Sequence, residues 1–362
     1  MTRRHADRIG ARAPTPEPAP TSSAGEPARR VPLRSAAAGP VRLLLLLAAL
    51  LAALVAAIAF GAAGLPLGAV LDALAGRADP STTAIVLQLR LPRALLAALA
   101  GGGLALSGAV FQAVLRNPLA EPYILGVSGG AAIGAVAAVV LGWGAHVPWA
   151  VPIAAFVGAV VSIVVVFRIA AAVGRRLDTR VLLLAGVMVG AFFNAIILLL
   201  LTFADVETFR SALFWIMGSL SGATWPAVVV LAAYFVPAAA LLIALARPLD
   251  LLALGEETAL FLGARVERVK WAAFLVASLL VGVSVAVCGV IGFIGLIIPH
   301  AIRLAWGSGH RLLLPASVLA GAAFLLAADT VARTIAAPAE LPVGVVTALV
   351  GVPVFLVLLT RS

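Results

Sequence analysis

"PYILGVSGGAAIGAVAAVVLGWGAHVPWAVPIAAFVGAVVSIVVVF", residues 122–167, runs for 46 residues without a single Asp, Glu, Lys or Arg. A helix rises about 1.5 Å per residue and crosses a hydrocarbon core of about 30 Å in about 20 residues. The stretch is therefore about two crossings long and has to fold back once. Residues 142–152, which carry Gly142, Gly144, Pro148 and Pro152, are where it can turn. Its apolar residues run on continuously and do not alternate, which points to helices and not to barrel strands.

The same scan along the chain finds charge-free runs at 43–71, 94–115, 181–204, 211–246, 271–302, 312–328 and 341–360. Residues 271–302 as one helix would be about 48 Å long, so a break is expected at 289–295, leaving a short eighth segment that contains Pro299. The expectation is an all-α integral membrane protein with ten transmembrane helices. The whole composition agrees: of 362 residues, 63% are apolar and 11% charged, with a mean hydropathy of +1.17, whereas soluble domains average about 25% charged.

Residues 1–40 are rich in Pro, Ala and Arg and lack an apolar run, so they are read as a disordered cytoplasmic tail preceding a transmembrane domain at 41–362. A cleavable signal peptide is not expected, because the first apolar run is itself long enough to span. One cysteine, Cys288, allows neither an intrachain disulfide nor a cysteine metal cluster. With ten crossings and the N-terminus inside, 20 of the 25 basic residues fall on inner segments, as the positive-inside rule requires. Both termini are then cytoplasmic. The net charge of +10 is thereby a topology signal, and no nucleic-acid partner is implied.

Against this background "GEETALFLGARVERVK", residues 255–270, stands out, with six charges in sixteen residues. Burying each in the bilayer centre would cost about 2.5–3.5 kcal/mol, so the segment lies outside, on the inner face. Glu256 and Glu257 suit the start of a short helix and Gly263 its end. Ala259, Leu260 and Leu262 give that helix an apolar side. It reads either as a solvated loop helix or as a docking surface for a soluble partner.

"LALGEETALFLGARVERVKW" resembles the coupling-helix segment of the FecCD family, the permease subunits of ABC importers for iron–siderophore complexes, haem and cobalamin. "LRLPRALLAALAGGGLALSGAVFQAVLRNPLAEPYILGVSGGAAIGA", "GVIGFIGLIIPHAIRLAWGSGHRLLLP" and "ADTVARTIAAPAELPVGVVTALVGVPVF" resemble other signatures of that family, in its order, over roughly residues 42–360. The tail is a departure from it. The resemblance implies a type II ABC importer permease fold with inverted repeat halves, coupling helices at about 250–268, and ATPase contacts at Leu254, Gly255, Glu256, Ala259, Leu260, Leu262 and Gly263. It implies docking of an extracytoplasmic binding protein at Arg90, Arg93 and Arg333, and a cytoplasmic gate at Asn117, Leu119, Asp178 and Thr179. It further implies two ATP-binding cassette subunits, a second permease subunit (a copy or a paralogue), a lipid surround in the bacterial cytoplasmic membrane, and an iron complex as cargo, with cobalamin as the alternative.

The chain cannot hydrolyse ATP through a P-loop. That motif needs Lys in G-x-x-x-x-G-K-[ST], and the sole lysine, Lys270, stands between Val269 and Trp271. ATP and Mg²⁺ are accordingly expected on the partner, with no catalytic residue, metal or cofactor resident in this chain. Gly108 to Pro118 and Gly289 to Pro299 share a spacing of ten residues, a hint of an inverted repeat. Gly126, Gly130 and Gly134, and Gly101–Gly103 with Ser107, read as helix-packing positions. Two rival readings have some support in the residues. "GVSG" with Ser128, together with His300, fits a rhomboid-like protease, although His300 is better read as a cap or anchor of the eighth helix. An ion-coupled secondary transporter would need intramembrane acids, and Asp329 is the nearest candidate, more simply read as the i,i+4 partner of Arg333.

Overall fold

A computed structural model describes residues 38–61, 64–123, 126–173 and 178–360. The tail expected over residues 1–40 lies outside them, except that residues 38–40 already form the start of a helix. In chain order the helices are α1 (Ala38–Ala59), α2 (Leu67–Leu74), α3 (Pro80–Ala84), a π-helical turn (Ile85–Arg90), α4 (Leu91–Val114), α5 (Val127–Val140), α6 (Trp143–His146), α7 (Ala150–Val173) and α8 (Thr179–Thr202). They continue as α9 (Val206–Ile216), α10 (Trp225–Ala244), α11 (Ala246–Ala253), α12 (Glu256–Phe261), α13 (Val266–Cys288), α14 (Ile294–Trp306), α15 (His310–Thr334) and α16 (Val343–Leu359). No strand occurs among the described residues.

Seven helices are long and apolar enough to cross a membrane: α1, the continuous helix Pro80–Val114, α7, α8, α10, α13 and α15. Shorter apolar helices, α5, α14 and α16, have 14, 13 and 17 residues, or about 20–26 Å at 1.5 Å per residue. Each of the ten apolar segments read from the sequence thus contains a helix, but three of these fall short of a full crossing. The two fold-back points are where expected. α5 ends at Val140 and α7 begins at Ala150, while α13 ends at Cys288 and α14 begins at Ile294, with Gly289 at φ 67° between them.

Three boundaries differ from the reading of charge. Residues 211–246 are not one helix: α9 starts earlier, at Val206, capped by Asp205, and residues 217–224 separate it from α10. Residues 43–71 likewise divide, since α1 ends at Ala59 and α2 begins at Leu67. The second span starts not at Ala94 but at Pro80, so that Arg90 and Arg93 lie inside a 35-residue helix. The π turn explains how Pro92 is accommodated there. Leu91 N–H donates to the Val86 carbonyl five residues back. Pro92 has no N–H for the next carbonyl, that of Leu87, and the Trp225 indole N–H fills the place at 3.0 Å.

α4 is the central helix, buried along most of its length against α15, α13, α14 and α10. The approach is close because the contacts are glycine on glycine: a methyl on Gly101 would collide with the Gly321 carbonyl. The same holds where Gly130 of α5 meets Gly158 of α7. Small residues allow such backbone packing in lipid, where no hydrophobic force drives helices together. The matched ten-residue spacings do not correspond in structure. Gly108 sits within α4 and Pro118 in a loop, whereas Gly289 ends α13 and Pro299 lies inside α14.

Helix starts outside the spans follow local chemistry. The Asp79 carboxylate accepts from Ser81 Oγ and Thr82 N–H, and Asp205 accepts from Thr208 N–H and Oγ1. These bonds hold both carboxyls below their ordinary values, Ser81 contributing most at Asp79 and the Thr208 backbone most at Asp205.

Candidate functional site

α12 is a six-residue helix between two glycines of positive φ, Gly255 at 117° and Gly263 at 81°. Its end is a Schellman closure: Gly263 N–H donates to the Leu260 carbonyl and Ala264 N–H to that of Ala259. Ala259 is fully buried, so it seats the helix and is not available to a partner. The exposed side carries Leu254, Leu260, Leu262 and Phe261, the last 91% exposed. Phe261 did not emerge from the sequence reading. The available signal was a large aromatic residue inside a charged, water-facing segment, where a solvated loop helix has no use for one. Glu256, expected as part of the contact surface, instead turns inward. Its Oε1 lies 2.9 Å from Lys270 Nζ, and Glu267 Oε1 is 3.7 Å from the same nitrogen. The lysine side chain is 1% exposed.

At the opposite end of α4 lie the three predicted docking arginines. Arg93 forks between two acids: its Nε and Nη2 donate to Asp329 at 2.9–3.1 Å, and its Nη1 to Glu340 at 2.9 and 3.0 Å. Arg333 Nε stands 3.4 Å from Asp329 Oδ2, the expected i,i+4 pair, but the shorter contacts of Asp329 are with Arg93. Arg90 and Arg333 are buried and reach the last carbonyls of α1. Arg90 Nη1 donates to Ile58 and Ala59 at 2.8 Å each, and Arg333 Nη2 donates to Ala57. Cations at a helix C-terminus satisfy its orphan carbonyls and its dipole. At the far end of α1, Arg42 stacks over Trp306 with 5.8 Å to the ring centroid. Both carboxylate oxygens of Asp329 are thus engaged by arginines.

The expected gate residues sit in two loops. Asn117 Oδ1 accepts from Leu119 N–H at 2.9 Å, folding the turn after α4 and leaving Leu119 exposed. Asp178 is the N-cap of α8, accepting from Arg180 N–H at 2.8 Å, and Thr179 is the first residue of that helix. Beyond Asn117 the chain returns toward the middle of α4, where Pro122 packs on Gly295. There the buried Glu121 carboxylate accepts from Phe293 N–H, the residue before α14. A cavity of about 660 Å³ opens at this point, lined by Glu121, Tyr123, Met217, Val290, Phe293 and Gly344 among others. Another, of about 290 Å³, shares Tyr123 and is lined by Gly186, Gly190 and Asn194 of α8. Irregular backbone at membrane depth is tolerated where it lines such a space.

His300 does not cap α14. It lies inside the helix with its ring against Phe355, centroids 5.8 Å apart, and neither ring nitrogen has a hydrogen-bond partner among the described residues. No Ser128–His300 dyad is therefore formed. Among the described residues no group of three or more His, Cys, Asp or Glu could hold a metal ion.

Comparison with known proteins concerns the chain as a whole. The model of the FecCD transport family matches residues 47–361. An uncharacterized ABC transporter permease protein, YvrB of Bacillus subtilis, is 41% identical over 291 residues, covering 79% of this chain and 82% of that one. The vitamin B12 import system permease protein BtuC of Escherichia coli O139:H28 is 45% identical over 286 residues, covering 78% and 86%. Among solved structures, one described as an inward-facing conformation of an ABC transporter of metal-chelate type superposes with a TM-score of 0.80 at 32% identity, covering 89% of this chain and all of the other.

Proposed function

The chain belongs to the FecCD transport family and is an ABC importer permease, and on that premise we propose that it carries a corrinoid of the cobalamin class across the bacterial cytoplasmic membrane. The likeness to vitamin B12 permeases supports this cargo over the iron complex that family frequency alone suggests. The cavity walls are mostly apolar, with Glu121, Tyr123 and Asn194 the polar exceptions, which suits sliding of a bulky complex without tight holding.

The observation that carries the mechanism is the exposed apolar face of α12. Leu260, Phe261 and Leu262 stand in water on a short capped helix, and a contiguous apolar patch of this kind marks a protein contact. An ATP-binding cassette subunit is the partner it fits, since this chain has no P-loop of its own. Two such subunits would serve a permease dimer, with ATP and Mg²⁺ bound on them and none on this chain. α12 would then be cytoplasmic, as would both termini, and all ten apolar helices would pass through or into the bilayer around a path between two permease copies. A binding protein outside would present carboxylates to Arg93 and its neighbours Arg90 and Arg333, guanidinium forks being suited to bidentate pairing. Asn117, Leu119, Asp178 and Thr179 would close the path inside.

Purification from the native host in mild detergent, with mass spectrometry of the co-purifying chains and an absorbance spectrum of the recovered binding protein, tests the reading. A P-loop subunit and a corrinoid spectrum are expected. A ferric-chelate spectrum would overturn the cargo, and persistent absence of any ATPase would overturn the coupling role of α12.

A further inference from the structure

The charge gathered at residues 255–270 has a second use besides keeping the loop in water. Lys270 lies in the second turn of α13, 1% exposed, where an unpaired ammonium would be costly. Its Nζ meets Glu256, the first residue of α12, at 2.9 Å. α12 is bounded by Gly255 and Gly263, both at backbone angles that favour glycine. A six-residue helix with such a residue at each end can tilt as a unit, and its direction relative to α13 is then set by what ties the two together.

We infer that Lys270 is a positioning residue for coupling: through Glu256 it straps α12 to the membrane helix α13, so that a push on Leu260 and Phe261 moves α13 and does not merely bend the loop. From α13 the contact continues into α4. Phe274 packs on Phe111 with ring centroids 5.1 Å apart, and Ser107 Oγ donates to the Ala277 carbonyl at 3.2 Å. α4 in turn ends three residues before Asn117 and the turn that holds Leu119. Glu256 thereby acts inward, on Lys270, and not on the ATPase subunit. The inference depends on α12 being the ATPase contact, so its test has to separate the two.

The test uses the assembled transporter, permease with its ATPase and binding protein, in proteoliposomes, reading ATP hydrolysis and cargo uptake in parallel. Glu256→Gln keeps the side-chain size and leaves Lys270 its stem, and Lys270→Met keeps the stem without the charge. Each is expected to lower uptake per ATP by about five-fold or more, the range of a typical coupling free energy, with hydrolysis and melting temperature little changed. Lys270→Arg should retain coupling. In the Lys270→Met background Glu256→Gln should add nothing, since one link is already cut. If Glu256→Gln still acts there, Glu256 touches the partner and the strap is overturned. If neither variant changes the ratio while Phe261→Asp abolishes uptake, the strap also fails and the ATPase contact stands. If Phe261→Asp leaves uptake intact, it is the contact itself that is wrong. Should Lys270→Met not assemble, Glu256→Gln alone decides, because it leaves the buried lysine a neighbouring Glu267.

Discussion

The two ends of the α4–α13–α15 core are each built around a cation largely withdrawn from water, yet they are organised for opposite purposes. At the Arg93 end, the cation's principal partner, Asp329, is itself buried, and two further arginines are spent on the carbonyls of α1. At the α12 end, Glu256 and Glu267, which face Lys270, are both more than a third exposed. Removing Arg93 at the first end leaves a buried carboxylate with only the longer contact to Arg333; at the second, the acids left behind can hydrate. The same kind of ion pair therefore holds the fold together at one end and transmits position at the other. Burial of the partner, and not of the cation, makes the difference.

The largest expected effect tests that contrast. Arg93→Met should destabilise the protein by about 3–5 kcal/mol, as breaking a buried pair from one side does, seen as a lower unfolding temperature in detergent and poor recovery. Adding Asp329→Leu should restore much of the loss. Equal losses for Lys270→Met would break the comparison. Next in size, Phe261→Asp should cut uptake by about ten-fold or more through loss of an apolar anchor, without changing the unfolding temperature. At the glycine contact between α4 and α15, Gly101→Val should cost about 1–3 kcal/mol through overpacking, an effect on stability alone and a scale for the other variants.

Smaller effects refine the Arg93 end. Glu340 is the exposed one of the two acids on Arg93. Glu340→Gln should free one arm of the fork and tighten a carboxylate-bearing binding protein by about two- to five-fold, the worth of an exposed ion pair, with a steeper loss of affinity on adding salt. Unchanged affinity would mean that Arg93 serves the fold alone. The smallest effect concerns the caps at Asp79 and Asp205. Both carboxyls titrate below their unfolded values, so their contribution is complete above the ordinary Asp range near 4 and is lost only as pH falls through the lower folded values. Hydrogen exchange at Thr82 and Thr208 should thus show no loosening of either cap between pH 7 and 5.

Much of the architecture was legible in the chain. Charge-free runs located the membrane helices, and Gly and Pro located both fold-back points, because a buried backbone has few ways to turn. The boundaries that failed did so for a common reason. Charge marks where a helix meets water only if the charged residue is solvated, and Arg90 and Arg93 are not: they are satisfied inside, by carbonyls and carboxylates from α1, α15 and the loop that follows α15. Residues 211–246 misled in the opposite way, since nothing charged marks the interruption between α9 and α10, where Gly218 packs against the Val290 carbonyl.

The candidate sites divide along the same line. Composition established a membrane protein and the missing Walker A lysine excluded a P-loop, since these follow from hydrophobicity and residue inventory, which do not depend on how the chain is packed; the permease reading came from the resemblance of its motifs. Which way Glu256 faces, that Phe261 is exposed while Ala259 is buried, and that Arg93 holds Asp329 more closely than Arg333 does were decided by tertiary structure alone. The two ion pairs join groups 14 and 236 residues apart, and no local pattern encodes which distant acid a shielded cation will meet.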